Sequence, residues 1–117
     1  MNVLSRLFNK HITVVGLGVT GRSCVRFLKQ HQKAWNINIA AMDTRLNIQA
    51  ESDIECVLRE LDKTLLAKTD VIVLSPGIAL KTPEIATAIE HGKWVIGDIE
   101  LFAMYVNEHA PQRRHNL

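Results

Sequence analysis

The segment Ile12-Thr13-Val14-Val15-Gly16-Leu17-Gly18-Val19-Thr20-Gly21 decides the fold. Ile12 to Val15 is a short β-branched run that stops at a glycine, which reads as a buried strand. Downstream, Ser23 to His31 carries apolar residues at Cys24, Val25, Phe27 and Leu28, with Arg22, Arg26, Lys29 and Gln30 left for solvent. That spacing predicts a helix. Gly16-x-Gly18-x-x-Gly21 therefore sits between a strand and a helix, the context in which the pattern has a mechanism. Gly16 permits the sharp turn, Gly18 leaves no Cβ in the way of a phosphate oxygen, and Gly21 lets the helix approach the sheet. The N–H groups of Val19, Thr20 and Gly21 then point at an anion, assisted by the helix dipole. A tight structural turn that holds no ligand is the competing reading.

The same alternation continues along the chain. Ile37 to Met42 reads as a second strand ending at Asp43, followed by a polar loop from Asn47 to Glu51. Ser52-Asp53-Ile54-Glu55 resembles a capping box, which favours a helix. Ile54 and Cys56 with Val57 and Leu58 can instead form a short strand, with Asp62 capping a helix from Lys63 to Lys68. The strand is preferred, because it leaves a short connection to the next one. Val71 to Leu74 is the clearest buried strand and runs into Ser75-Pro76-Gly77. Thr82-Pro83-Glu84 starts a helix that His91-Gly92 ends. Trp94 to Ile96 is a short strand, and Gly97-Asp98 opens a last helix from Ile99 to about Val106. Residues 107–117 read as a polar tail or linker. Strands alternating with helices give an α/β fold with a mostly parallel sheet and helices on both faces.

Composition narrows the function classes. The 117 residues fit one domain, with 47% hydrophobic and 22% charged residues. A net charge of +2 is too mild for a nucleic-acid binder. No run of about 18 apolar residues marks a membrane span, and the first ten residues lack the features of a secretory signal. Cys24 and Cys56 lie too far apart for a zinc site and read as buried thiols, in keeping with a reducing cytoplasm.

In parallel α/β sheets ligands bind beyond the carboxyl ends of the strands. That points to Gly16–Gly21, Asp43-Thr44-Arg45, Ser75-Pro76-Gly77 and Gly97-Asp98. Asp43 lies 22 residues past Gly21, where a dinucleotide fold keeps the acid that holds a ribose hydroxyl. Asp43, Thr44 and Arg45 together also supply the acceptors and donors that read a nucleobase edge. Pro76 and Gly77 build a rigid wall or a plain turn. Other polar residues read as structural. The five histidines share no metal-ligand spacing and read as surface or helix-end residues. Asp98 and Glu100 suit a helix start, and Trp35 and Trp94 suit packing. No catalytic triad, activated cysteine, paired carboxylate, metal cluster or GxxxxGK[ST] loop is present. The chain has a place for a phosphorylated ligand and no evident catalytic residue.

Four segments together resemble one family: VVGLGVTG at 14–21, MDTR at 42–45, SPGIAL at 75–80 and GDIELF at 97–102. In that order they resemble the N-terminal domain of the Mur ligases that join D-glutamate to UDP-N-acetylmuramoyl-L-alanine in peptidoglycan synthesis. The resemblance implies a five-stranded Rossmann-like domain that binds the UDP moiety, cut from a three-domain cytoplasmic enzyme. It also implies missing central and C-terminal domains that hold ATP with magnesium and D-glutamate. There ATP phosphorylates the substrate carboxylate and the amine of D-glutamate attacks the acyl phosphate, so this chain alone is expected to be inactive. By position, Gly18, Val19, Thr20 and Gly21 would meet the diphosphate. Asp43, Thr44 and Arg45 would hold the uridine, with Ser75, Pro76 and Gly77 lining the other side. Two alternatives stay open: the NAD(P)-binding half of an oxidoreductase, and a nucleotide-sensing regulatory module.

Overall fold

The computed structural model describes residues 3–45, 47–78 and 82–109. Ala79 and Leu80 of the SPGIAL segment, and residues 110–117 of the expected tail, lie outside the described residues. A 3-10 turn at Val3–Leu7 precedes β1 (His11–Val15), α1 (Val19–Trp35), β2 (Asn38–Asp43) and β3 (Glu55–Leu58). Then come α2 (Lys63–Ala67), β4 (Val71–Leu74), α3 (Pro83–Glu90), β5 (Trp94–Gly97) and α4 (Asp98–His109). The five strands form one sheet in the order β3-β2-β1-β4-β5, every pair parallel. The sheet is thus wholly parallel and Rossmann-like.

Side-chain alternation along the strands divides the core into two layers. Val14, Ala41, Val73 and Ile96 pack with Cys24, Val25 and Leu28 of α1 and Leu101 of α4. Val15, Met42, Ile72 and Leu74 face the other way, against Leu65 and Leu66 of α2 and Ile85 and Ala88 of α3. The register aligns the strand exits. Val15 pairs with Met42 and with Leu74, and Leu74 pairs with Gly97. The glycine loop, Asp43-Thr44-Arg45 and Ser75-Pro76-Gly77 therefore leave from one edge, on three adjacent strands.

The ambiguous segment resolves as a strand. Asp62 caps α2 by accepting the Leu65 N–H at 3.0 Å, so the helix begins after it and Glu55–Leu58 joins the sheet beside β2. Pro83 opens α3, and Gly92 takes φ +79° just past its end.

Four expectations need correcting. Helix α1 runs to Trp35 rather than His31, because Trp35 is buried against Phe8 and Phe27 and gives the last turn a core contact. His31 is half-buried rather than freely exposed: its ring stacks on Trp35 with centroids 4.3 Å apart. Helix α4 extends through His109, so residues 107–109 belong to it and not to a tail. Cys24 is fully buried, but Cys56, on the edge strand β3, is only half-buried.

Candidate functional site

The glycine loop is shaped by contacts that leave no room for side chains at two of its three glycines. Gly16 has φ +102°, and a Cβ there would come within 2.5 Å of Ser75 Cβ. A Cβ on Gly21 would overlap the Gly16 carbonyl oxygen. Gly18 differs: nothing lies within 4 Å of where its Cβ would be, so the space in front of it is open. Gly18 is also the N-cap of α1 and provides no side-chain cap for its first-turn amides. Val19 and Thr20 are exposed at that turn, and Arg22 N–H is the first to bond back, to Gly18 O at 3.0 Å. The turn expected at Gly16 and the close helix approach expected at Gly21 are therefore visible as geometry.

Two neighbours are fastened to this loop. On the β4 side Ser75 N–H donates to Val15 O at 2.9 Å, and Ile78 N–H closes the Ser75-Pro76-Gly77 turn onto Ser75 O. Pro76 and Gly77 stand exposed beside it. On the β2 side Gly16 N–H donates to Met42 O at 2.8 Å, and the next residue, Asp43, turns its carboxylate under the loop. Asp43 Oδ2 accepts the Leu17 N–H at 2.7 Å. The same carboxylate takes three bonds from Arg45: N and Nε on Oδ1, at 2.8 and 3.0 Å, and Nη2 on Oδ2 at 2.8 Å. Asp43 is buried, whereas the Arg45 side chain is 55% exposed and forms the outer surface of the pair. The Arg45 guanidinium, with help from the Leu17 and Arg45 amides, holds the Asp43 carboxyl well below the usual carboxylate range. The same pairing raises the Arg45 pKa. Thr44 is exposed between them.

The structure thus brings Gly18, Val19, Thr20 and Gly21 together with Asp43, Thr44 and Arg45, and with Ser75, Pro76 and Gly77, along one rim. Gly97 and Asp98 leave the same edge one strand further on, but their polar groups serve α4. Asp98 accepts the Ile99 N–H and Glu100 accepts the Gly97 N–H.

One part of the rim was missed. Arg22 is not left to solvent: it reaches the loop after β2, donating to Glu51 Oε2 and to Gln49 O. Lys29, two turns further along the same face of α1, donates to Ser52 O at 2.7 Å. These bonds tie the loop that follows Arg45 to α1. The only signal in the sequence was a basic residue directly after Gly21 and an acid at the far end of a polar loop.

Two cavities lie elsewhere. One of about 320 Å³ runs between α2 and α3, and one of about 350 Å³ sits at the amino edge of the sheet. Neither contains a rim residue. Among the described residues no three His, Cys, Asp or Glu side chains are grouped to hold a metal ion. No helix among them is long and apolar enough to cross a membrane.

Comparison with known proteins identifies relatives of the chain. The family described as Mur ligase MurD-like, N-terminal domain matches residues 10–97. The chain is 47% identical over 98 residues to a UDP-N-acetylmuramoylalanine--D-glutamate ligase of Haemophilus influenzae (strain PittGG), a match covering 80% of this chain and 22% of that one. It is 41% identical over 110 residues to the same-named ligase of Pseudoalteromonas translucida, covering 88% of this chain and 24% of that one. The chain thus spans under a quarter of the length of these relatives. A crystal structure of a chorismate mutase/shikimate 5-dehydrogenase fusion protein from Clostridium acetobutylicum shares the fold, with TM-score 0.50 and 15% identity. That match covers 84% of this chain and 45% of the other.

Proposed function

The chain belongs to the Mur ligase MurD-like N-terminal domain family, and from that premise we propose that it holds the UDP moiety of UDP-N-acetylmuramoyl-L-alanine. The first-turn amides at Gly18, Val19, Thr20 and Gly21 take the diphosphate. The β2 rim holds the uridine through Thr44 and Arg45, with Asp43 fixing Arg45 in place, and Ser75, Pro76 and Gly77 close the opposite side. The observation that carries this reading is the bridge from Leu17 N–H through Asp43 to an exposed Arg45. It fixes the anion-binding loop and the nucleoside rim as one unit. In the parent enzyme this domain presents the substrate carboxylate for phosphorylation by ATP and attack by D-glutamate in the cytoplasm. Those steps belong to the part of the parent beyond this chain. The residues here do not fit an ATP–magnesium site, since the sequence lacks a GxxxxGK[ST] loop. Ligation by this chain alone is not expected.

The competing NAD(P)-binding reading is disfavoured by the carboxylate that would serve it, which is already bonded to Arg45. Titration of the chain with UDP, NAD and NADP, followed by amide chemical shifts, separates the two. UDP should move Val19, Thr20 and Arg45. Binding of NAD or NADP in preference to UDP would overturn the proposal.

A further inference from the structure

Asp43 occupies the position at which dinucleotide-binding folds keep an acid to accept the adenosine ribose hydroxyls. A carboxylate offers about four lone-pair directions. Four donors meet it here: Leu17 N–H and Arg45 Nη2 on Oδ2, Arg45 N–H and Nε on Oδ1. Its side chain is 5% exposed. Two of those donors are backbone amides fixed by the fold. The other two come from one exposed side chain, and they fall one on each carboxylate oxygen.

We propose that Arg45 is a specificity-determining residue that closes Asp43 to ribose diols, so that this glycine-loop domain rejects NAD. The guanidinium fills one lone pair on each oxygen, which are the two a vicinal diol would need. It also replaces an anionic acceptor at the rim with a cationic donor. A neutral hydroxyl does not displace it, because Arg45 holds the carboxylate by two bonds from one side chain, and displacing it would break both and leave two opposite charges unpaired. Asp43 becomes a positioning residue, holding the Leu17 amide on one side and Arg45 on the other. The inference deepens the proposed nucleotide site and rests on a nucleotide lying along this rim.

The test removes the cover without touching the acid. In Arg45→Ala the backbone N–H at position 45 still bonds Oδ1 and Leu17 N–H still bonds Oδ2, leaving one vacant lone pair on each oxygen. NAD affinity, measured by calorimetry or amide shifts, should rise at least about tenfold over wild type, the yield of one added charge-assisted hydrogen bond. The double variant Asp43→Asn with Arg45→Ala should lose that gain, because an amide nitrogen replaces one acceptor. Nicotinamide mononucleotide, which lacks the adenosine ribose, should show no gain. Arg45→Met keeps the methylene packing without the donors and should behave like Arg45→Ala, which covers the case of a poorly folded alanine variant. A folded Arg45→Ala or Arg45→Met chain with NAD affinity no higher than wild type would overturn the inference, as would a gain that survives in the double variant. UDP is titrated in parallel. A wild-type chain blind to UDP with the NAD gain intact would sink the proposed function and leave this inference standing. The opposite pattern would do the reverse.

Discussion

The glycine loop separates folding from binding, and a pair of substitutions reads the two apart. Gly21→Ala places a methyl group on the Gly16 carbonyl, with the Gly16 carbonyl carbon at 2.9 Å. Both atoms are backbone, so relief requires moving α1 off the β1 turn. Overpacking of this kind costs up to about 3 kcal/mol, while alanine regains about 1 kcal/mol of helix propensity over glycine. The net loss is about 2 kcal/mol. For a chain of 117 residues, with unfolding entropy near 2 cal/mol/K per residue, that is a fall in Tm of about 8 °C. Gly18→Ser behaves differently, because the space at Gly18 is open and its φ of −78° suits any residue. Serine is a favourable N-cap, so stability should stay within about 0.5 kcal/mol of wild type. Its Oγ would bond the first-turn amides assigned to the diphosphate, and UDP affinity should drop about tenfold or more. Thermal melts by circular dichroism and UDP titrations on the same samples give both numbers. A Gly21→Ala chain melting within about 2 °C of wild type would refute the close-approach argument, the shift expected from only about 0.5 kcal/mol. A Gly18→Ser chain with wild-type UDP affinity would refute the assignment of the amides.

Asp43 titrates below the ordinary carboxylate range in the folded chain, so its contribution to stability is present above about pH 4 and is lost as pH falls toward its lowered value. The stability gap between wild type and Asp43→Asn should therefore narrow on acidification from pH 5 to pH 2, by at most about 1.4 kcal/mol per pH unit in urea titrations; a constant gap would refute the pairing. Thr69 Oγ1 donates its proton to Leu65 O, so the buried Thr13 hydroxyl must donate to Thr69 at 2.7 Å. Thr13→Val should cost about 1 kcal/mol and Thr69→Val more, since the latter strands both Leu65 O and the Thr13 hydroxyl; equal costs in urea unfolding would contradict that direction. Burial, then the Asp98 charge, pushes the Cys24 thiol up to about 12. A thiol reagent at pH 8 should label Cys56 in the folded chain and Cys24 only in denaturant, and rapid native labelling of Cys24 would count against the core placement.

The strands were legible because their signal is local. Ile12–Val15 and Val71–Leu74 are β-branched or aliphatic runs that stop at Gly or Ser-Pro-Gly, and burial on both faces demands such runs of any central parallel strand. Segment 52–58 was harder, because Ser52 and Glu55 mimic a helix start. What resolves it is the competing cap at Asp62, which bonds Leu65 N–H and so claims the helix for the residues after it. The far end of α1 carried a readable sign that apolar counting overlooks. His31 and Trp35 follow Phe27 at intervals of four and eight, and both rings pack with it. Residues 107–109 of α4 offered no such sign, since Asn107 is exposed and polar.

At the rim, residue type announced which groups are present, and geometry decided which of their bonding positions are already used. Asp43-Thr44-Arg45 reads as three ligand-facing residues because each can donate or accept. The fold commits the carboxylate inward, where Leu17 N–H would otherwise be a buried orphan beneath the loop. Once that amide is met, Arg45 neutralises the buried charge and its outer surface is what the solvent side of the pair presents. Arg22 follows the same logic from the other direction. A polar residue on the outer face of a helix scores as solvated by periodicity, yet Glu51 and Gln49 O lie within its reach because the post-β2 loop folds back over α1. Arg22 thus links the glycine-loop side of the site to the β2 side, and Asp43, backed by Arg45, does the same through Leu17 N–H. A ligand that spans the two meets a rim already held in register by protein–protein bonds, and less conformational entropy is lost on binding than if those side chains had to be ordered by the ligand itself.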